Sequence, residues 1–429
     1  MRMHPMNVRD RRAVSRRRIA TMLVALLPAS TAACDKLLSV DNPGRVPDAA
    51  LGDPALIPAL EAASLQSFQC AFGQWVSTAG MLSGEYWSAN GFVDNHPWEW
   101  RGVQEIKNAP GACAGARGTT AMGYYTPMQQ ARFQLDDTYA RVSAFSDAQV
   151  AGRAKIQAEM LAYAGYTYTI LGETMCEMAV ANGPKMTKAE VLAIAEKRFT
   201  DAIAAATTAN DASLRNMAYV GRARVRLDLN NLSGAASDAT QVPAGFVRNA
   251  EYSETTPARE NRLYNLSVRN DFVSVTPAYR GLTVENGAAD PRVKVNNMNR
   301  IGPDNNTAIW QQQKFIGSGA VSLPIASYAE AQLILAEATT GQAQLDAINR
   351  VRALSNTPAL VPAPGADMNA IVLEERRRQL FSEGHRYVDM LRKGLPFQSG
   401  VNRKGQTYST LTCVPLPNVE TQNNPNFKS

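Results

Sequence analysis

Histidine is almost missing from this 429-residue sequence, which holds only His4, His96 and His385. With His4 in the N-terminal segment, two remain, too few for a histidine-rich metal site, and no HExxH occurs. A Walker loop, a GxSxG elbow and a GxGxxG after a strand are also missing, so the sequence offers no phosphate-binding, acyl-transfer or dinucleotide signature. No two cysteines stand as CxxC, which speaks against zinc and thioredoxin-like chemistry. No window holds 18 uninterrupted apolar residues, the least a membrane-spanning helix needs. An excess of charge of one sign is missing too, despite a pI of about 9.0. Residues 1–33 carry seven arginines and one acid, Asp10, which leaves 37 basic and 37 acidic residues in the rest of the chain. If the leader is removed, the basic pI goes with it, and nucleic-acid binding loses its main support. What remains is 45% apolar and 19% charged, the composition of a chain with a large core.

The N-terminal segment reads as an export signal. A basic stretch precedes the nine-residue apolar run Ile19–Leu27, followed by Pro28 and by Ser30-Thr31-Ala32-Ala33-Cys34. A cysteine directly after small residues resembles a bacterial lipoprotein signal, in which the thiol is acylated and becomes the first residue of the mature chain. Cleavage before Cys34, with lipidation there, is therefore expected; Arg16-Arg17 leaves Sec and twin-arginine export both open. In an exported chain the four other cysteines, Cys70, Cys113, Cys176 and Cys413, suggest two disulfides. Three pairings are possible. The favoured one is Cys70–Cys113 with Cys176–Cys413, because the first pair staples a local segment and the second then follows.

Beyond the leader (1–33), the sequence divides into a tether and first helix (34–69), a loop-rich region (70–122), helix pairs (123–242), loops with short strands (243–320), and C-terminal helices with an extended tail (321–429). Apolar spacing of three to four predicts helices over 127–146, 149–178, 187–208, 213–230 and 232–241. Thr187 followed by Glu190 is a capping-box spacing. Ala223, Ala235 and Ala239 are small where paired helices would cross. Further helices are expected over 326–341, 342–355 and 367–393, the last opening at Asp367 and stopping at Gly394. The fold class is mainly α, a degenerate tetratricopeptide-like helical scaffold with a loop-rich face and a few short strands.

Several segments together resemble the SusD/RagB family of outer-membrane nutrient-binding lipoproteins. They are Cys34-Asp35-Lys36-Leu37-Leu38-Ser39-Val40 with Asn42-Pro43; Asp290-Pro291-Arg292; Pro324-Ile325 through Tyr328-Ala329-Glu330-Ala331; Asn349-Arg350-Val351-Arg352; Glu375-Arg376-Arg377-Arg378-Gln379-Leu380-Phe381 to Glu383-Gly384-His385-Arg386; and Pro415-Leu416-Pro417 with Asn424-Pro425-Asn426. The resemblance implies a ligand face on a helical scaffold, a location at the outer membrane facing outward, and a SusC-like TonB-dependent transporter as partner. The cargo it implies is a glycan, or in some branches a peptide. No cofactor is expected, and no metal, since the histidines and cysteines offer no ligand set.

The chemistry agrees with a binder. On one helix Glu375, Arg378 and Arg386 cannot share a face, so partners in other helices are expected, and Arg386→Ala should lower stability. A catalytic pairing of Glu375 or Glu383 with His385 has no nucleophile motif beside it. Adjacent Asp136 and Asp137 would diverge on a helix rather than converge on a sugar. Four of the five tryptophans fall within 75–100, among Asn and Arg; the fifth is Trp310. Sugar C–H faces stack on such rings, so Tyr86, Trp87, Trp98 and Trp100, with Asn95 and Arg101, are the expected ligand residues, and Trp310 with the 243–320 loops is the next candidate. A lipid-anchored glycoside hydrolase and a helical-repeat envelope adaptor are the competing classes.

Overall fold

The computed structural model describes residues 48–109, 111–113 and 122–427. Cys34 and its expected lipidation lie outside them. Residues Asp48–Gly52 form a short 3-10 turn in a unit of their own. The body begins at Pro54.

Its first element, α1 (Ile57–Leu82), corrects the sequence reading, which ended a helix near residue 68 and expected loops from 70. The apolar residues from Ala71 to Leu82 show little 3.6-residue periodicity because this half of the helix is buried on nearly every side. Trp75 is thus a core residue, in contact with the rings of Tyr124 and Tyr387. The rest of the expected loop region holds a strand, β1 (Tyr86–Ser88), and two short helices, α2 (His96–Trp100) and α3 (Val103–Asn108).

The helix pairs follow the sequence closely: α4 (Tyr125–Ala144), α5 (Arg153–Thr174), α6 (Lys188–Thr208), α7 (Ala212–Asp228) and α8 (Leu232–Ala239). Thr187 and Glu190 complete the capping box. Ala223, Ala235 and Ala239 are fully buried. The tightest crossing is at Phe199 of α6, whose ring lies between Gly165 of α5 and Gly221 of α7. A Cβ at these glycines would meet the ring at 2.6 and 2.3 Å. In an open helix Gly→Ala gains about 1 kcal/mol, but here the ring is held on both sides and cannot yield. Gly221→Ala is therefore expected to destabilise by about 1–3 kcal/mol through overpacking, and adding Phe199→Leu should recover much of it. Urea unfolding of the single and double variants checks this.

Beyond α8 come β2 (Val247–Ala250), a single helical turn α9 (Arg262–Tyr264), β3 (Val273–Val275), β4 (Val295–Ile301), β5 (Ala308–Gln312) and β6 (Leu323–Ser327). They pair antiparallel as β1–β3, β2–β6 and β4–β5. The chain then returns to helices in α10 (Tyr328–Ala338) and α11 (Gly341–Leu354). The helix expected over 367–393 is two, α12 (Met368–Gln379) and α13 (His385–Lys393), capped at the ends by Asp367 and Gly394. The break has a local cause: Ser382 and Gly384 both take positive φ, and a side chain at Gly384 would strike the Trp75 indole at 2.9 Å. The tail is not wholly extended, since Asn418–Asn423 forms a helical turn, α14. Among the described residues no helix is long and apolar enough to cross a membrane.

Both expected disulfides are present. Cys70–Cys113 ties α1 to the segment after α3, and Cys176–Cys413 ties the tail to the end of α5. The second is reinforced by hydrogen bonds from Cys176 N–H to the Val414 carbonyl and from Val414 N–H to the Thr174 carbonyl.

The arginine-rich α12–α13 region is knitted by ion pairs, most of them buried, as expected. Arg292 meets Asp290 and Glu375, Arg352 meets Glu375 and Glu285, Arg376 meets Asp389, and Arg392 meets Glu337 and Asp389. Arg386 is the exception. It is half-buried and forms no ion pair among the described residues, so the expectation for Arg386→Ala passes to its neighbours.

Candidate functional site

The side chains named from sequence separate by burial. Tyr86 on β1 points into the core, where its hydroxyl lies 2.5 Å from Ser382 Oγ. Trp98 on α2 is 2% exposed and packs near Tyr124. Asn95, just before α2, is fully buried. Arg101 is also buried, in the left-handed conformation. Its guanidinium donates to the carbonyls of Gln398, Ser409 and Leu411 and lies near the rings of Phe397 and Tyr408. It clamps the chain after α2 to the C-terminal segment and is not free to meet a ligand. Trp100 is half-buried, its indole folded over Gly102. These placements correct the reading of 86–101 as one exposed platform: aromatic side chains in short elements are taken into the core wherever a neighbour covers them.

Trp87 remains. Strand alternation turns it opposite to Tyr86 and Ser88, and it is partly exposed, as Trp100 is. It pairs in register with Ser274 of β3. Ser274 Oγ in turn donates to the Ala308 carbonyl at 2.8 Å and accepts from the Trp310 N–H at 2.9 Å. This one serine brings β5 alongside β3 and sets Trp310 near Trp87. The Arg280 guanidinium fills the space between, 5.3 Å from the Trp87 ring centre and 4.7 Å from that of Trp310. A second guanidinium, Arg403, lies 4.7 Å from the Trp87 ring. The result is a ladder of Arg403, Trp87, Arg280 and Trp310.

The two guanidinium groups of the ladder are held differently. Arg403 pairs with Glu99 and donates to the Ser88 carbonyl; the other Glu99 oxygen accepts from Ser88 N–H at 2.7 Å. Arg280 Nε and Nη2 donate to the Val275 carbonyl at 2.9 and 2.6 Å, and no carboxylate pairs with it among the described residues. Burial, with Arg403 nearby, holds the Arg280 guanidinium below its ordinary range. At the rim, Lys404 pairs with Asp304 at 2.9 Å and donates to the Asn90 carbonyl. Asn297 of β4 stands directly opposite Trp310 across the β4–β5 pair and is exposed. Cross-strand partners share a face, so an amide lies beside the indole.

The sequence drew attention to Trp87 and reserved Trp310, but it missed Arg280, Arg403 and Asn297. The one available signal was the strand-like Phe272-Val273-Ser274-Val275, which carries the joining serine.

The side chains of the catalytic alternative are engaged in other contacts among the described residues. His385 is buried, and burial together with Arg224 and Arg376 holds its imidazole neutral, well below the usual histidine range. Glu375 is taken by Arg292 and Arg352, and Glu383 by Lys314 at 2.6 Å. Asp136 and Asp137 diverge as expected, to Arg198 and Arg141 respectively. Among the described residues no group of three or more His, Cys, Asp or Glu side chains is gathered to hold a metal ion.

Residues 246–429 match the sequence profile of the SusD family. No curated protein matches the sequence. Among solved structures, the chain is similar to a SusD superfamily protein from Bacteroides vulgatus at 14% identity, covering 88% of this chain and 98% of that one, with a TM-score of 0.62. It is similar to a SusD-like carbohydrate-binding protein from Bacteroides fragilis at 18% identity, covering 82% and 92%, with a TM-score of 0.58. It is also similar to surface glycan-binding protein A from Bacteroides thetaiotaomicron, solved in complex with laminarihexaose, at 15% identity, covering 87% and 98%, with a TM-score of 0.64.

Proposed function

We propose, from the premise that this chain belongs to the SusD/RagB family, that it is a non-catalytic glycan-binding lipoprotein of the outer membrane. In this reading Cys34 carries the acyl anchor, the body faces outward, and the captured oligosaccharide passes to a SusC-like TonB-dependent transporter. The observation that carries the reading is the pair of partly exposed indoles, Trp87 and Trp310, held on strands beside arginine and asparagine. Indole faces take the apolar C–H faces of sugar rings, while guanidinium and amide groups satisfy hydroxyls. A ladder on an open face, with few donors, suits modest affinity, micromolar to millimolar, and a carrier must release what it captures.

The test is titration of a glycan panel that includes laminarihexaose into the parent protein and into the Trp87→Ala/Trp310→Ala double variant. Affinity is expected to fall roughly tenfold or more at unchanged helicity by circular dichroism, since each lost 1.4 kcal/mol is about tenfold. Trp98→Ala, which opens the core, should instead lower the melting temperature and spare affinity. Equal binding by the double variant and the parent would refute the site. Preferential binding from a peptide pool would refute the glycan.

A further inference from the structure

Resting on that reading, we propose that the ligand is an anionic oligosaccharide, with Arg280 the residue that receives its carboxylate or sulfate. Charge at the ladder is not balanced. Four cations stand there or at its rim: Arg280, Arg403, Lys404 and Arg300. Three acids stand with them, and each is engaged. Glu99 binds Arg403 and Ser88 N–H. Asp304 binds Lys404, Thr307 and Asn306 N–H. Asp271 binds both Nε and Nη2 of Arg300 at 2.6 and 2.9 Å. Arg280 is left without a carboxylate partner among the described residues.

The geometry makes this vacancy directional. Two of the three guanidinium nitrogens of Arg280 point back at one carbonyl, that of Val275. The third, Nη1, has no hydrogen-bond partner among the described residues. Two indoles lie close to the group and two of its nitrogens are already bound, so little conformational entropy is lost when an anion arrives. A partly desolvated cation without a counter-ion is costly to the folded protein, and a ligand oxyanion would relieve that cost with a charge-assisted hydrogen bond. A neutral sugar would fill the same edge with hydroxyls but leave the charge uncompensated. Asn297, beside Trp310, is placed to bind hydroxyls of the adjoining unit.

The experiment uses the purified protein and matched oligosaccharides: polyuronate fragments (pectate, alginate and glucuronan), the same fragments reduced at the carboxyl, and neutral oligosaccharides with and without sulfate esters. The parent is expected to bind an anionic member at least tenfold more tightly than its neutral counterpart. That preference should shrink as salt rises from about 0.05 to about 0.5 M. The polyuronate and sulfate arms identify which anion is recognised. Arg280→Gln should lower affinity for the anionic member at least tenfold more than for its neutral counterpart, so that the preference is lost. Equal affinity for an anionic member and its neutral counterpart overturns the inference and leaves the glycan site standing. Equal loss for both in Arg280→Gln also overturns it, because Arg280 would then be only a spacer between the indoles. Failure of every oligosaccharide to bind the parent overturns the glycan reading itself.

Discussion

Replacing Arg376 by alanine is expected to lower the unfolding free energy by about 3–5 kcal/mol, the usual loss when one partner of a buried pair is removed. Arg376 on α12 meets Asp389 on α13 through Nε and Nη2, at 2.9 Å in both cases, and it is the bond between the two halves of the broken helix. Asp389 is 1% exposed and keeps only Arg392 once Arg376 is gone. Arg376 also lies 3.8 Å from Glu337, which is held by Arg392 and Lys393. Burial raises the cost of charging Asp389, and the two arginines more than offset it, so its carboxyl sits below the ordinary range. Arg386→Ala, on α13 three residues before Asp389 but without an ion pair among the described residues, should cost about 1 kcal/mol or less. Urea unfolding of the two variants side by side measures the contrast. Equal losses would mean that long-range charge, and not the paired contact, holds α12 to α13.

Glu85→Gln is expected to stabilise the protein above neutrality, by up to about 3 kcal/mol at pH 8. Glu85 sits between α1 and β1 with no exposed surface. One carboxyl oxygen accepts from Ser382 N–H at 3.1 Å and the other has no partner. Burial pushes its pKa up to about 7, against partial relief from the Ser382 bond, Arg386 and Lys314. A carboxyl whose pKa is raised on folding binds its proton more tightly in the native state. Stability therefore falls as pH rises from the unfolded value near 4.5 through about 7, then levels off. Glu330 and Glu61, also raised to about 7, add losses of the same sign. His385 opposes them, because a buried neutral imidazole costs stability below pH 6.5, but it is one group against three. Asp290, lowered to about 2, matters only at the acid end, where stability is lost as pH falls from 3.8 towards that value. The parent should thus be more stable at pH 5 than at pH 8. The glutamine variant should lose part of that difference, keeping the share owed to Glu330 and Glu61. Denaturant midpoints at the two pH values decide it, and a parent–variant gap that does not change with pH would refute the assignment to Glu85.

The helical scaffold was legible in the sequence because its determinants are local. The 3.6-residue spacing along 127–241, the Thr187–Glu190 box and the Asp367 and Gly394 caps each act within a few residues, and the helices they predict formed, though the one between Asp367 and Gly394 is broken in two. Export chemistry plus an even set of cysteines pointed to the two disulfides. Local signals failed where burial is complete on all sides, as in the second half of α1. They failed again where a distant side chain sets the backbone, as Trp75 does at Gly384. The site lies wholly in the second category. Tyr86 and Trp87 are neighbours of similar chemistry, yet strand alternation and the β1–β3 pairing bury one and present the other. Trp310, Arg280 and Arg403 come from separate segments and meet Trp87 only because Ser274 draws β5 against β3 and Glu99 holds Arg403. Composition could say that this chain has indoles to offer a ligand. Which indoles reach solvent, and which cation stands between them without a carboxylate partner among the described residues, depends on non-local packing, where burial free energy outweighs any local preference.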